Sequence, residues 1–227
     1  MIIDRQFSAS HNDWPQLRDA VQRAEAEGCG RAWVLDHFDG RVLGGDRDML
    51  ECFTLLGALA ACTTTIGLGT LVVNVANRHP AVTAAAVSSV QRISGHRLML
   101  GIGAGADPSM PWASEHHERG IPLLPTLADR QAAVVHQIEH LRRVEPTPVV
   151  IGVNSESLAR IAGQHADGVN IRLTSPHAPR YLAAAREAAG DRPFDCSGWA
   201  HHDDQRSHDL ALELGLDRLI LLRWDLG

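Results

Sequence analysis

The stretch RLMLGIGAGADP, Arg97 to Pro108, decides between two architectures. An apolar strand runs into Gly101, Gly103 and Ala106 at the spacing of a dinucleotide-binding fingerprint, which belongs to an open, doubly wound sheet. That fingerprint needs a helix that begins at its last positions and directs its amino end at a pyrophosphate. Here Pro108 and Pro111, each without an amide proton, follow within a few residues, and no apolar periodicity resumes before Leu127. The stretch therefore reads as a strand followed by a long excursion, and the doubly wound sheet becomes the second choice.

Outward from it, runs rich in Val, Ile and Leu begin near Ile2, Ala32, Ile66, Arg97, Pro148, Gly168, Phe194 and Arg218, and each of the first seven precedes a helical pattern. Runs such as TLVVNV and RLILLR are apolar on both faces. Parallel strands covered by helices read this way, whereas half-exposed strands alternate. Helix boundaries carry their own signals: Asn12 and Asp13 before Pro15 with Gly28 as a stop, Asp48 with Glu51 as a capping-box-like start, Pro80 and Gly95 around a third helix, and Thr126 or Asp129 opening a fourth. Eight strand-helix repeats predict an α/β fold, a closed (β/α)8 barrel in one domain over residues 1–227, compact beside the ~250 residues typical of that fold. After the eighth strand the sequence stops at Gly227, so the closing helix is absent or supplied by something else. Strand starts are roughly 20 to 34 residues apart except after Arg97, where about 50 residues separate it from Pro148. The excess there is Gly103 to Pro125, too long and too Pro-rich for a plain connection, and it is expected to cover the barrel mouth.

Composition narrows the function class. With 227 residues, 44% hydrophobic content and a net charge of −6 spread without any Lys/Arg cluster, the chain has a core but no footprint for nucleic acid or an anionic membrane. No apolar run is long enough for a membrane span, and the start MIIDRQFSASHND lacks a signal-peptide pattern, so a cytoplasmic location is expected. Cys29, Cys52, Cys62 and Cys196 lie far apart and read as reduced core residues.

In such a barrel the site gathers at the carboxyl ends of the strands. The second strand ends in Asp36 and His37, an acid beside a titratable ring suited to proton relay. The third ends with Thr70 and Asn74, whose buried polar groups need partners from a ligand or from the loop itself. The fifth ends in VIGVNSES, where Gly152, Asn154, Ser155 and Ser157 precede a helix and free amides and hydroxyls can hold a phosphate or a serine can simply cap. His116–Glu118, the HHDD run His201 to Asp204, and His11 suggest a metal site of a barrel hydrolase or isomerase. Adjacent histidines point in different directions, however, and solvated surface rings are the expected outcome, with no metal assigned.

The segments AEAEGCGRAWVLDHF, LLGALAACTTTIGLGTLVVNVANRHPAVTAAAVSSVQRISGHRLMLGIGAG, HHERGIPLLPTLADR and TPVVIGVNSESLARIAGQHADGVN resemble, in order, the signature segments of the bacterial-luciferase-like flavin-dependent oxidoreductases. The resemblance covers roughly residues 14 to 171, most specifically Leu55 to Gly105. It implies a compact luciferase-like barrel with shortened insertions and a ring cofactor across the strand ends. Asp36-His37 is similar to the branch using the deazaflavin coenzyme F420, with FMN as the second choice. The resemblance further implies hydride transfer to a small-molecule substrate, His37 near the reactive face and Asp36 orienting it. It assigns Thr70, Leu71, Val72 and Asn74, with a non-proline cis bond at Leu71–Val72, together with Gly103 and Gly105, to the cofactor's ring. Gly152, Val153, Asn154 and Ser155 are assigned to its phosphate. The glycines after the fourth strand are expected to make room for the cofactor. Ala106 stands where some deazaflavin dehydrogenases have an acidic proton donor. Val153 stands where the phosphate loop usually has glycine, and its side chain is expected to crowd the phosphate, so that glycine there should tighten binding. These departures leave open a degenerate, non-catalytic flavin-binding protein. A homodimer is expected from the family and from Ala58, Ala60, Ala61, Ala81, Ala84, Ala85 and Ala86, whose small side chains permit close helix packing.

Overall fold

Each apolar run becomes a strand within one residue of its expected start. In the computed structural model, which describes residues 1–201, 203–223 and 226, the strands are β1 (Ile2–Phe7), β2 (Arg31–Val34), β3 (Gly67–Thr70), β4 (Val73–Asn74), β5 (Leu98–Gly103), β6 (Val149–Val153), β7 (Gly168–Arg172), β8 (Asp195–Ala200) and β9 (Arg218–Arg223). All pair in parallel. The cis Leu71–Val72 peptide bond separates β3 from β4, so the two are pieces of one barrel strand and both pair with β5. The β3–β5 pairing closes the ring that β1 and β9 join between the two ends of the chain. The result is the closed eight-stranded parallel barrel, and the doubly wound alternative falls: the residues directly after Gly103, 104–107, open no helix.

Helices α1 (Trp14–Ala26), α2 (Cys52–Cys62), α3 (Pro80–Ser94), α5 (Leu127–Val144), α6 (Glu156–His165), α7 (Ala178–Ala189) and α8 (Gln205–Glu213) wrap the barrel, while the short α4 (Ser114–Glu118) lies in the loop after β5. Their starts follow local chemistry. Asp13 and Gln16 form a capping box on α1, Thr126 caps α5, and Gly95 ends α3 at φ 65°, a left-handed turn that costs glycine little. One expected boundary shifts: Glu51, and not Asp48, is the cap of α2, accepting from Thr54 N at 2.7 Å, while Asp48 bridges to Asp39.

The core has two parts because each barrel strand is apolar on both faces. Val34, Leu68, Leu100, Ile102, Ile151, Val169 and Leu219 face outward and pack beneath the helices. Trp33, Val150 and Ile220 fill the barrel, with Leu71 and Trp199 against them toward the mouth and Met99 against them near the amino end of β5. Complete burial of an aliphatic side chain contributes about 1.5–3 kcal/mol, so both faces must be covered. Beneath Trp33 the interior turns polar. Asp4 accepts from the Trp33 indole at 2.9 Å, and Arg218 bridges Asp4 and Asp195. Burial pushes the Asp4 carboxyl up, against the Trp33 hydrogen bond and the nearby arginines.

Candidate functional site

The polypeptide after β2 leaves the barrel wall at Leu35, so Asp36 and His37 stand at the mouth as expected, but they do not act on each other. Asp36 is buried and turned toward the loop after β4. It forms a two-pronged ion pair with Arg78, both contacts 2.8 Å, and accepts from Asn74 N and Asn77 Nδ2 at 3.0 Å each. Arg78 continues to Glu51 at the start of α2 and lies over the Phe53 ring. Asp36 thus fixes the 74–78 loop, and the expected orientation of His37 by Asp36 is replaced.

The residue that grips His37 is Glu115, from the long loop after β5. His37 Nδ1 lies 2.7 Å from Glu115 Oε1, while Glu115 Oε2 accepts the amides of Phe38 at 2.7 Å and Asp39 at 3.1 Å. Burial opposes ionisation of Glu115, yet His37 and the two amides outweigh it and hold the carboxyl below its usual range. An ionised acceptor at Nδ1 selects, in the neutral ring, the tautomer that carries its proton there and leaves Nε2 as the nitrogen that Glu115 does not engage. Glu115 is 1% exposed in its side chain and His37 28%, so the acid is sealed while the ring still reaches the mouth.

The same short helix supplies His116, which corrects a second expectation. Its ring is buried and not solvated: Nε2 lies 3.0 Å from Asn74 Nδ2 and 2.8 Å from Asn77 Oδ1, and Phe38 meets it edge-on. The cover over the mouth is therefore an ordered latch in which consecutive residues Glu115 and His116 hold the loops after β2 and β4. His117 is exposed and reaches Pro108 O at 3.1 Å. His11 contacts Ser10 Oγ, His201 packs edge-on to Trp199, and His208 pairs with Asp203. His202 of the HHDD run lies outside the described residues. Among the described residues, no group of three or more His, Cys, Asp and Glu stands together as a metal site.

The residues expected around a cofactor divide into two sets. Leu71 packs on the interior cluster at the mouth, and Val72 follows it against the glycines of β5 and β6. Gly103 and Gly152 admit the Val72 side chain: a Cβ at Gly103 would stand 2.6 Å from Val72 Cγ2, and one at Gly152 would stand 2.9 Å from Cγ1. The glycines thus make room directly for Val72, and only through it for anything lying above. Thr70 is buried, with its hydroxyl spent on Gly101 at 2.7 and 2.8 Å. Asn74 is likewise committed, to Ala76 N and to His116, the loop-capping alternative. Gly105 takes φ 75° beside Asn74.

At the end of β6, Ser155 caps α6 through Leu158 N at 3.3 Å, and Asn154 is exposed with its carbonyl bound by Tyr181. Val153, expected to crowd a phosphate, lies on the opposite face of β6 from Gly152, with its side chain packed in the core between strands and helices. The mouth as a whole suits a flat, partly apolar ring system: an apolar floor of Leu71, Val72 and Trp199, one titratable ring at the rim, and backbone amides at the amino end of α6 for an anionic tail. Sequence reasoning missed Glu115, Arg78 and Asn77 as site-building residues. Glu115 sits beside the His pair that drew a metal reading, and no local pattern marks its partner 78 positions away.

The sequence profile of the luciferase-like monooxygenases matches residues 3–195. The 5,10-methylenetetrahydromethanopterin reductase of Methanolobus tindarius is 27% identical over 190 residues, covering 75% of this chain and 55% of that protein. The chain spans about half the length of the curated relatives it matches. Among solved structures, the coenzyme F420-dependent tetrahydromethanopterin reductase from Methanopyrus kandleri superposes with a TM-score of 0.70 at 17% identity, over 95% of this chain and 76% of that one. An F420-dependent secondary alcohol dehydrogenase in complex with an F420-acetone adduct superposes with a TM-score of 0.73 at 14% identity, over 98% and 93%. The barrel and the profile match over most of its length show that this chain belongs to the luciferase-like monooxygenase family.

Proposed function

We propose that the protein is an oxidoreductase that binds F420, or FMN in second place, across the barrel mouth and transfers hydride to or from a small-molecule substrate. The observation that carries this reading is the His37–Glu115 pair at the rim of an apolar mouth. Leu71 and Val72 would support the ring, and the amides of Asn154 and Ser155 would meet the phosphate, with the α6 amino end contributing ~0.3–1 kcal/mol to a nearby anion. The bound cofactor supplies hydride chemistry at a ring carbon. The protein supplies a proton site. His37, with Nδ1 tied to Glu115, takes or gives a proton at Nε2 beside the reacting groups, and the latch of α4 limits water above them. F420-dependent relatives support the deazaflavin preference. We also infer a homodimer and a cytoplasmic location. Among the described residues no helix is long and apolar enough to cross a membrane, and the four cysteines are free thiols.

Fluorescence titration of the purified chain with F420 and with FMN tests the reading. Binding of at least one at micromolar concentration is expected, and His37→Ala should keep the fold while lowering turnover on the order of 10²-fold or weakening the cofactor. Binding and steady-state rates unchanged in His37→Ala would remove His37 from the mechanism.

A further inference from the structure

Directly across the mouth from His37 stands a cation that the reading above does not use. Strand β7 lies four strands from β2 in either direction around the ring, so the carboxyl end of β7 faces the His37 rim. That end is Arg172. Gly168, Asn170 and Arg172 alternate with the outward core residues Val169 and Ile171, which directs the Arg172 side chain toward the mouth. It is exposed, and its guanidinium lies 5.4 Å from the Trp199 ring centroid, on the residue paired with it in the sheet. Among the described residues no carboxylate pairs with Arg172, in contrast to Arg78, Arg130, Arg160 and Arg218.

The platform beneath the cation is packed on the barrel interior. Trp199 packs on the interior cluster of Trp33, Val150 and Ile220, and the His201 ring meets the same indole edge-on at 5.3 Å. A guanidinium stacked on an indole keeps its N–H fork in the plane of its edge, free for a two-pronged contact with an oxyanion. Both residues sit at strand ends, so their backbone positions are set before any ligand arrives.

We propose that Arg172 on its Trp199 platform is an anion subsite, and that it holds a carboxylate or phosphate group of the small-molecule substrate across the mouth from His37. This rests on the mouth being the reaction site. The subsite leans toward β8 through Trp199, whereas the amides of Asn154 and Ser155 lie on the β6 side, so a cofactor phosphate and a substrate anion have separate places.

Calorimetric titration with inorganic phosphate tests it, using the wild-type chain, Arg172→Gln and Arg172→Lys, each checked for an unchanged melting temperature. Millimolar binding to the wild type is expected, weakened at least tenfold by glutamine and less by lysine. An absence of binding to the wild type, or equal binding to Arg172→Gln, would overturn the subsite. The titration is then repeated in saturating FMN, and FMN and riboflavin affinities are compared in wild type and Arg172→Gln. Unchanged phosphate binding and unchanged FMN affinity support the substrate assignment. Phosphate binding blocked by FMN, with Arg172→Gln weakening FMN but not riboflavin, overturns that assignment and gives the subsite to the cofactor. Should F420, FMN and riboflavin all fail to bind while Arg172 still governs phosphate, the cofactor reading fails and the anion subsite stands.

Discussion

A carboxylate and an imidazole 78 positions apart in sequence govern what this mouth can do with a proton. Glu115 accepts from His37 and from two amides, and that set of donors specifies an ionised, acceptor-only group. Glu115→Gln keeps the size and can still accept the amides, but its NH2 group then faces His37 Nδ1 and drives the ring to the opposite tautomer. In the neutral ring Nε2, and no longer Nδ1, would then carry the proton. We expect kcat to fall on the order of 10²-fold with cofactor affinity changed little, as in other general acid–base sites that lose the correct protonation state. Steady-state kinetics across pH would check this, and a wild-type rate and profile in Glu115→Gln would remove the positioning role. Asp36 illustrates the opposite case. Its sequence position beside His37 suggests catalysis, but its four contacts to Arg78, Asn74 and Asn77 make it the anchor of a loop, where an unpaired partner would be costly.

Among the elements, β6 and its following turn carry the sharpest correction. The expectation that Val153→Gly would open space for a phosphate assumed a side chain directed at the mouth. In the barrel, alternate residues of β6 face opposite ways, and Val153 shares the outward face with Val149 and Ile151. Val153→Gly should therefore leave F420 and FMN affinity unchanged while lowering stability by about 2–4 kcal/mol, from lost packing plus glycine's backbone entropy. Thermal denaturation and cofactor titration on the same sample separate the two outcomes. The contact between α1 and the turn before β3 gives a second test. Glu25 accepts the amides of Thr64, Thr65 and Ile66 and the Thr65 hydroxyl at 2.6–3.1 Å. Burial works against the charge, but these donors outweigh it and lower the carboxyl to about 2, from an ordinary 4.5. Because the folded-state value is depressed, this contribution is present above about pH 4.5 and is lost as pH falls toward about 2. Glu25→Gln should cost roughly 1 kcal/mol at pH 7, discounted for solvent screening, and should flatten the loss of stability between pH 5 and about pH 2. Urea unfolding at several pH values measures both; parallel wild-type and variant curves would rule the staple out.

For the molecule as a whole, the barrel leaves one helix face open. Ala60 and Ala84 of the Ala-rich helices are consumed in the chain's own core, while Ala81, Val82, Ala85 and Ile93 of α3 are exposed. Exposed branched side chains flanked by alanines suit close packing against a second helix. Sedimentation at ten micromolar should give a dimer that Ile93→Asp converts to a monomer; a wild-type monomer would exclude the homodimer.

The sequence by itself determined the rhythm of strands and helices, the caps on α1 and α5, and the closed barrel, because these rest on hydrophobic period and on side chains acting within a few residues of their own backbone. It also located His37, Leu71, Val72 and the β6 turn at one end of the barrel, since every strand of a parallel barrel ends on the same side. Only the tertiary structure decided which groups meet there. Glu115 reaches His37, His116 reaches Asn74 and Asn77, Gly103 and Gly152 flank Val72, and Arg172 rests on Trp199, all through contacts between separate strands and loops. Such contacts depend on how a loop of more than twenty residues docks over the mouth and on which way each strand residue faces, and neither is set by a local pattern of residue types.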